Sequence, residues 1–92
     1  MKEKVTVKIL DQEYQLLSEE AEEHVRRVAE YVDRRLREIR EQGGSLSEKK
    51  MAILAAFHIA SDYFQVLERY EALLDIIRSR TEAMLKRIGS ST

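Results

Sequence analysis

Residues 47–88, SEKKMAILAAFHIASDYFQVLERYEALLDIIRSRTEAMLKRI, decide the fold. The stretch contains no Gly and no Pro, so nothing in it forces a break. It reads as one helix of about 60 Å at the usual rise per residue. Ser45 with Glu48 fits a capping box, Ser47 offers a cap of its own, and Gly89 supplies a stop. The apolar pattern changes along the helix. MAILAAFHIA, residues 51–60, is apolar almost all round, as in a helix buried on several sides. From Tyr63 onward the stripe narrows. Tyr63, Tyr70, Ile77 and Met84 recur at heptad spacing, and Val66 with Leu67, then Leu73 with Leu74, fill the positions between. This is a coiled-coil seam, and it needs a partner helix.

The rest of a 92-residue chain is too short to cover such a helix. Self-association is therefore the first functional inference, with Tyr63, Val66, Leu67, Tyr70, Leu73, Leu74, Ile77 and Met84 as the oligomer interface.

Ahead of the long helix, VTVKIL and EYQLL alternate in the manner of two strands. A two-residue turn at Asp11-Gln12 places Ile9 opposite Tyr14 and Val7 opposite Leu16. It gathers Val5, Val7, Ile9, Tyr14 and Leu16 on one face. A lone hairpin is marginal in water, so that face must lie on a helix or its edge must join a second copy. A first helix follows from Ser18, its expected cap, to about Gln42. Glu19, Glu20, Glu22 and Glu23 suit its start and Arg40 its end. Ala21, Val25, Val28, Ala29, Val32, Leu36 and Ile39 form its apolar stripe. Gly43-Gly44 ends it, and so short a connection predicts that the two helices pack as an antiparallel pair.

The expected fold class is α+β: a small head of β-hairpin plus helix, with a long C-terminal helix forming a coiled-coil stalk. Residues 1–60 make the head, including the apolar start of the long helix. Residues 61–88 make the stalk, and residues 89–92 a flexible tail.

Composition narrows the function. Sixteen basic and seventeen acidic residues leave a net charge of −1, so no global basic field holds nucleic acid or an anionic membrane. The absence of Cys rules out disulfides, thiolate metal sites and a cysteine nucleophile. The start, MKEKVTVKIL, lacks the apolar core of a signal peptide, and no apolar run reaches membrane-spanning length. The expectation is a soluble cytoplasmic protein. His24 sits among acidic residues on a solvated face. His58 and Asp62, one helical turn apart, are too few for a metal site. No pair of carboxylates is marked out by an apolar pocket, so acid–base catalysis has no candidate, and neither cofactor nor metal is expected. Phe57, Tyr63, Phe64 and Tyr70 have the spacing of core and seam rather than of a base-stacking platform. The arginines of the first helix are the best binding candidates. Glu30, Asp33, Glu38 and Glu41 interleave them and would repel phosphates, which favours an acidic protein partner over nucleic acid.

VTVKILDQEYQLL, then AEYVDRRLREIRE, then LSEKKMAILAAFHIASDYFQ make the chain resemble the bacterial cell-division protein ZapA family. The resemblance covers residues 4–67, and MAILAAFHIASDYF is its most specific run. Asp11 stands where the family's hairpin usually carries Gly, and His58 where Asn is common. The resemblance implies a non-enzymatic factor of the division ring, a homodimer or homotetramer that binds and bundles filaments of the tubulin-like GTPase FtsZ at midcell. It also implies contact through charged head residues, which carry over to Arg40 and Lys49. Gln12 and Gln15 replace charged residues often found near the family's hairpin turn. Arg34, Arg35 and Arg37 join Arg40 and Lys49 as candidates because of their place on the exposed face. The alternative is a generic coiled-coil homo-oligomeric adaptor that binds another protein through its charged head.

Overall fold

The computed structural model describes residues 2–90. The elements are β1 (Glu3–Ile9), β2 (Gln12–Ser18), α1 (Glu22–Gly43) and α2 (Glu48–Ser90). The fold is α+β: a two-stranded antiparallel hairpin, a helix, and a long second helix. By internal contact the chain divides into two units, Met1–Ile59 and Ala60–Thr92. Of the tail, Gly89 and Ser90 continue α2, and Ser91 and Thr92 lie outside the described residues.

In the first unit, β1 pairs with β2 in the register Val5↔Leu16, Val7↔Tyr14 and Ile9↔Gln12. The expected register was two residues further along. Because side chains alternate with a period of two, that shift leaves every apolar residue on the face expected of it. The turn itself is Leu10-Asp11, both residues at positive φ (50° and 66°), as a type I′ hairpin requires. Neither residue is Gly, and the left-handed region costs a residue with a Cβ about 1–2 kcal/mol. Tertiary contacts offset that cost. Leu10 packs against the cluster of Ile39, Met51 and Ala55, and its N–H donates to Asp33 Oδ1 at 2.8 Å.

α1 begins at Glu22, not at Ser18. Ser18 ends β2, and its hydroxyl accepts the Glu20 N–H at 3.0 Å, closing a bend before the helix. The N-cap position falls to Ala21, which makes no side-chain cap. At the other end α1 stops on Gly44, whose φ of 64° is the left-handed conformation glycine adopts freely. Ser47 then caps α2, its Oγ accepting the Lys50 N–H at 3.2 Å.

The stripe of α1 is divided between two clusters. Val25 and Ala29 bury against Val5 and Val7, with Ile9 alongside. Ile39 buries against Met51 and Ala55, flanked by Leu10, Leu36, Leu46 and Leu54. α1 therefore lies on β1, and it meets α2 only where the two helices approach the turn between them. Of the antiparallel helix pair anticipated from the short connection, the first unit shows this end alone, with Ile39 against Met51 and Ala55. The first helix already satisfies half its stripe on the hairpin, so Ile53 and Phe57 of α2 stay exposed.

In the second unit α2 is unbroken, and most of its seam side chains are exposed. Tyr63, Val66, Tyr70, Leu73, Ile77 and Met84 are each half or more exposed, while Leu67 and Leu74 are half-buried along the helix. Thr81, one turn beyond Ile77, ties its hydroxyl to the Ile77 carbonyl at 2.9 Å and so stays within its own helix.

Candidate functional site: a charged groove and an open heptad stripe

Two features of the surface can hold another protein. The first lies where the hairpin turn, the end of α1 and the start of α2 converge. Ile9, Leu10, Leu36, Met51 and Ala52 floor a groove of about 340 Å³, and Gln12, Tyr14, Arg40 and Glu48 rim it. Its wall on the hairpin side is tightened by the Tyr14 hydroxyl, which donates to Gln12 Oε1 at 2.8 Å. An apolar centre with a polar rim is also the usual build of a protein–protein interface.

The predicted arginines do not act alike. Arg40 lies exposed on the rim, and Lys49 lies exposed in the first turn of α2. Arg34 is exposed and stacks over the Tyr31 ring, 5.1 Å from its centroid. Arg34, Arg37 and Arg40 follow one i,i+3 row of α1. Arg35 points elsewhere. Its guanidinium pairs with Glu38 at 2.6 Å, and its side chain is only 23% exposed. Arg37 is engaged twice, with Asp33 through Nε (2.9 Å) and with Asp11 through Nη2 (3.3 Å).

Asp33, which the sequence suggested only as a repeller of phosphates, thus becomes the hub of this corner. The Leu10 N–H and then the Arg37 guanidinium hold its carboxyl below the usual carboxylate range, against a smaller opposing effect of desolvation. The same pair, with Asp11 next, raises the Arg37 pKa. The i,i+4 spacing of Asp33 and Arg37 was a readable signal for the pair, but its link to the hairpin turn was not. Nearer the start of α1, Arg26 bonds Glu22 at 2.7 Å and donates to the Thr6 carbonyl at 3.1 Å, tying α1 to β1. His24 pairs with Glu20 on the exposed surface.

The second feature is the heptad stripe of α2, from Tyr63 to Ile88. A contiguous apolar stripe of that length, left open, is a surface for helix pairing. Phe57 stacks edge-on to His58, and Tyr63 edge-on to Phe64, so these aromatics contact one another along the helix. Among the described residues no group of three or more His, Cys, Asp and Glu is placed to hold a metal, and no helix is long and apolar enough to cross a membrane.

A groove with a charged rim on a hairpin-and-helix unit, followed by an exposed heptad stripe, defines a small protein of binding and assembly. Comparison with known proteins makes this specific. The family model described as "Cell division protein ZapA" matches residues 5–88. The chain is 41% identical over 73 residues to the cell division protein ZapA of Geobacillus sp. (strain WCH70), covering 79% of this chain and 84% of that one. It is 33% identical over 81 residues to that of Oceanobacillus iheyensis, covering 88% and 94%. Among solved structures, an unknown conserved bacterial protein from Pseudomonas aeruginosa PAO1 superposes with a TM-score of 0.72 at 30% identity, over 92% of this chain and 94% of that one. A ZapA mutant dimer from Geobacillus stearothermophilus superposes with a TM-score of 0.63 at 35% identity, over 85% and 91%. The chain belongs to the ZapA family. It is a cell-division protein and not an enzyme.

Proposed function

We propose that this protein binds filaments of FtsZ through its charged groove and, self-associated along α2, cross-links neighbouring filaments to stabilise the division ring in the cytoplasm at midcell. The observation that carries the reading is the open stripe of α2. Apolar residues at seam positions, half or more exposed in the single chain, call for a second copy. The ZapA mutant from Geobacillus stearothermophilus, whose structure is a dimer, supports that partner. Pairing of α2 makes a homodimer, and a second pairing along the same helix makes a homotetramer.

Self-association gives the assembly more than one groove. Several weak contacts on one body then bind a repetitive filament far more firmly than a single contact does. Arg40 on the groove, with the exposed Arg34 of α1 and Lys49 of α2, makes the filament contact. Arg35 and Arg37 contribute through the ion pairs they make on α1, with Glu38 and Asp33. Arginines paired to carboxylates in this way suit an acidic protein surface better than a nucleic-acid backbone.

The test is co-sedimentation with polymerised FtsZ, beside a DNA shift assay across a salt series. Pelleting with FtsZ and no salt-sensitive shift supports the reading. Absence of pelleting under conditions where FtsZ polymerises leaves the generic coiled-coil adaptor.

A further inference from the structure

The hairpin turn is a strained element with an identifiable support. Two consecutive residues that carry a Cβ, Leu10 and Asp11, occupy positive φ, where a type I′ turn favours Asn-Gly or Gly-Gly. One carboxylate–guanidinium pair on α1 grips both of them. Asp33 Oδ1 accepts the Leu10 N–H at 2.8 Å, and Asp33 Oδ2 accepts Arg37 Nε at 2.9 Å. The other arm of Arg37 reaches Asp11 Oδ1 at 3.3 Å. Leu10 of the turn so held and Gln12 next to it line the groove together with Arg40 and Glu48.

We propose that Asp33 is a positioning residue for partner binding: by fastening the Leu10–Asp11 turn to α1 it sets the width and rim of the groove. The proposal deepens the FtsZ reading and rests on it for the partner, but the clamp is testable apart from the partner. Both oxygens of Asp33 are spoken for by the turn and by Arg37, so its carboxylate acts on the partner through the backbone it holds. Without it, the turn loses its backbone acceptor and Arg37 loses its anchor, and Gln12 can move relative to Arg40. A glycine at position 11 takes positive φ without strain and so lessens the need for the clamp.

The experiment makes Asp33→Ala and Asp33→Asn in the natural chain and in an Asp11→Gly background. It reads the exchange rate of the Leu10 amide, the affinity for polymerised FtsZ and the oligomer mass. The Leu10 amide is expected to exchange roughly tenfold faster or more in Asp33→Ala, as for a lost hydrogen bond to a charged acceptor. Asp33→Asn, which keeps an acceptor but loses the charge, falls between. FtsZ affinity drops several-fold in Asp33→Ala at unchanged oligomer mass, and the drop shrinks when Asp11→Gly is also present. Unchanged Leu10 exchange in Asp33→Ala overturns the clamp. An equal loss of affinity in both backgrounds overturns its positioning role and leaves a stability effect only. If the natural chain does not bind FtsZ, the partner assignment fails, and the Leu10 exchange still decides the clamp.

Discussion

At the scale of single residues, the charged corner of the first unit separates groups that hold the fold from groups free to meet a partner. Asp33 has the clearer electrostatic signature. Its carboxyl is held below the ordinary carboxylate value chiefly by the Leu10 N–H and next by Arg37. A depressed folded-state value means that its stabilisation is fully present above the unfolded pKa and disappears as pH falls through the folded one. An NMR titration of the Asp33 carboxyl should therefore find a midpoint below that of an unperturbed Asp, and Arg37→Ala should return only part of the difference, because the backbone donor remains. Full return in Arg37→Ala would reverse the ranking of the two causes. Arg40 and Lys49 carry the opposite expectation. Arg40→Glu or Lys49→Glu should weaken FtsZ co-pelleting by roughly tenfold, as for charge reversal at an interface rim, with no change of oligomer mass. Equal binding by both variants would move the contact surface away from the groove.

At the scale of elements, the sequence revealed faces and extents better than it revealed pairings. Alternation placed Val5, Val7 and Ile9 on one side of the hairpin, and the structure buries Val5 and Val7 there. Ser47 was readable as a cap because a hydroxyl just ahead of a long Gly- and Pro-free run has few other uses. The turn was not readable. Asp11-Gln12 and Leu10-Asp11 give the same inward face, and the second of them has its Leu10 N–H bonded to Asp33, twenty-three residues away. Ser18 misled for a related reason, since a Ser before a run of Glu signals a cap whether or not the strand has finished. The split stripe of α1 was hidden as well, because periodicity reports which face is apolar and not what covers it. The hairpin cluster should respond to truncation. Val25→Ala removes buried methyls beside Val5, Val7 and Ala29 and should cost about 1–2 kcal/mol in denaturant unfolding. A cost near zero would mean that Val25 adds nothing to the packing of α1 on β1. Along α2, Ile77→Glu sets a charge in the seam and should reduce the oligomer to a smaller species by light scattering, and an unchanged mass would remove Ile77 from the interface.

At the scale of the whole molecule, the family and its division role rest on a match that runs from residue 5 to residue 88, so both units take part in it. The cross-linking account requires both as well. The groove without the stripe is a single weak contact, and the stripe without the groove is a bundle with nothing to hold. The order of hairpin, charged helix, alanine-rich helix and heptads was legible in the chain, and it is what made the family recognisable. The groove was not, because its floor draws Ile9 and Leu10 from the hairpin, Leu36 from α1 and Met51 from α2. The measurement that bears most directly on the account is light scattering of polymerising FtsZ with and without this protein, followed by pelleting. The account predicts increased scattering with the protein recovered in the pellet, and a loss of the increase in Ile77→Glu even where some binding persists. Scattering unchanged by the natural protein while FtsZ polymerises normally, with none of it in the pellet, would contradict it.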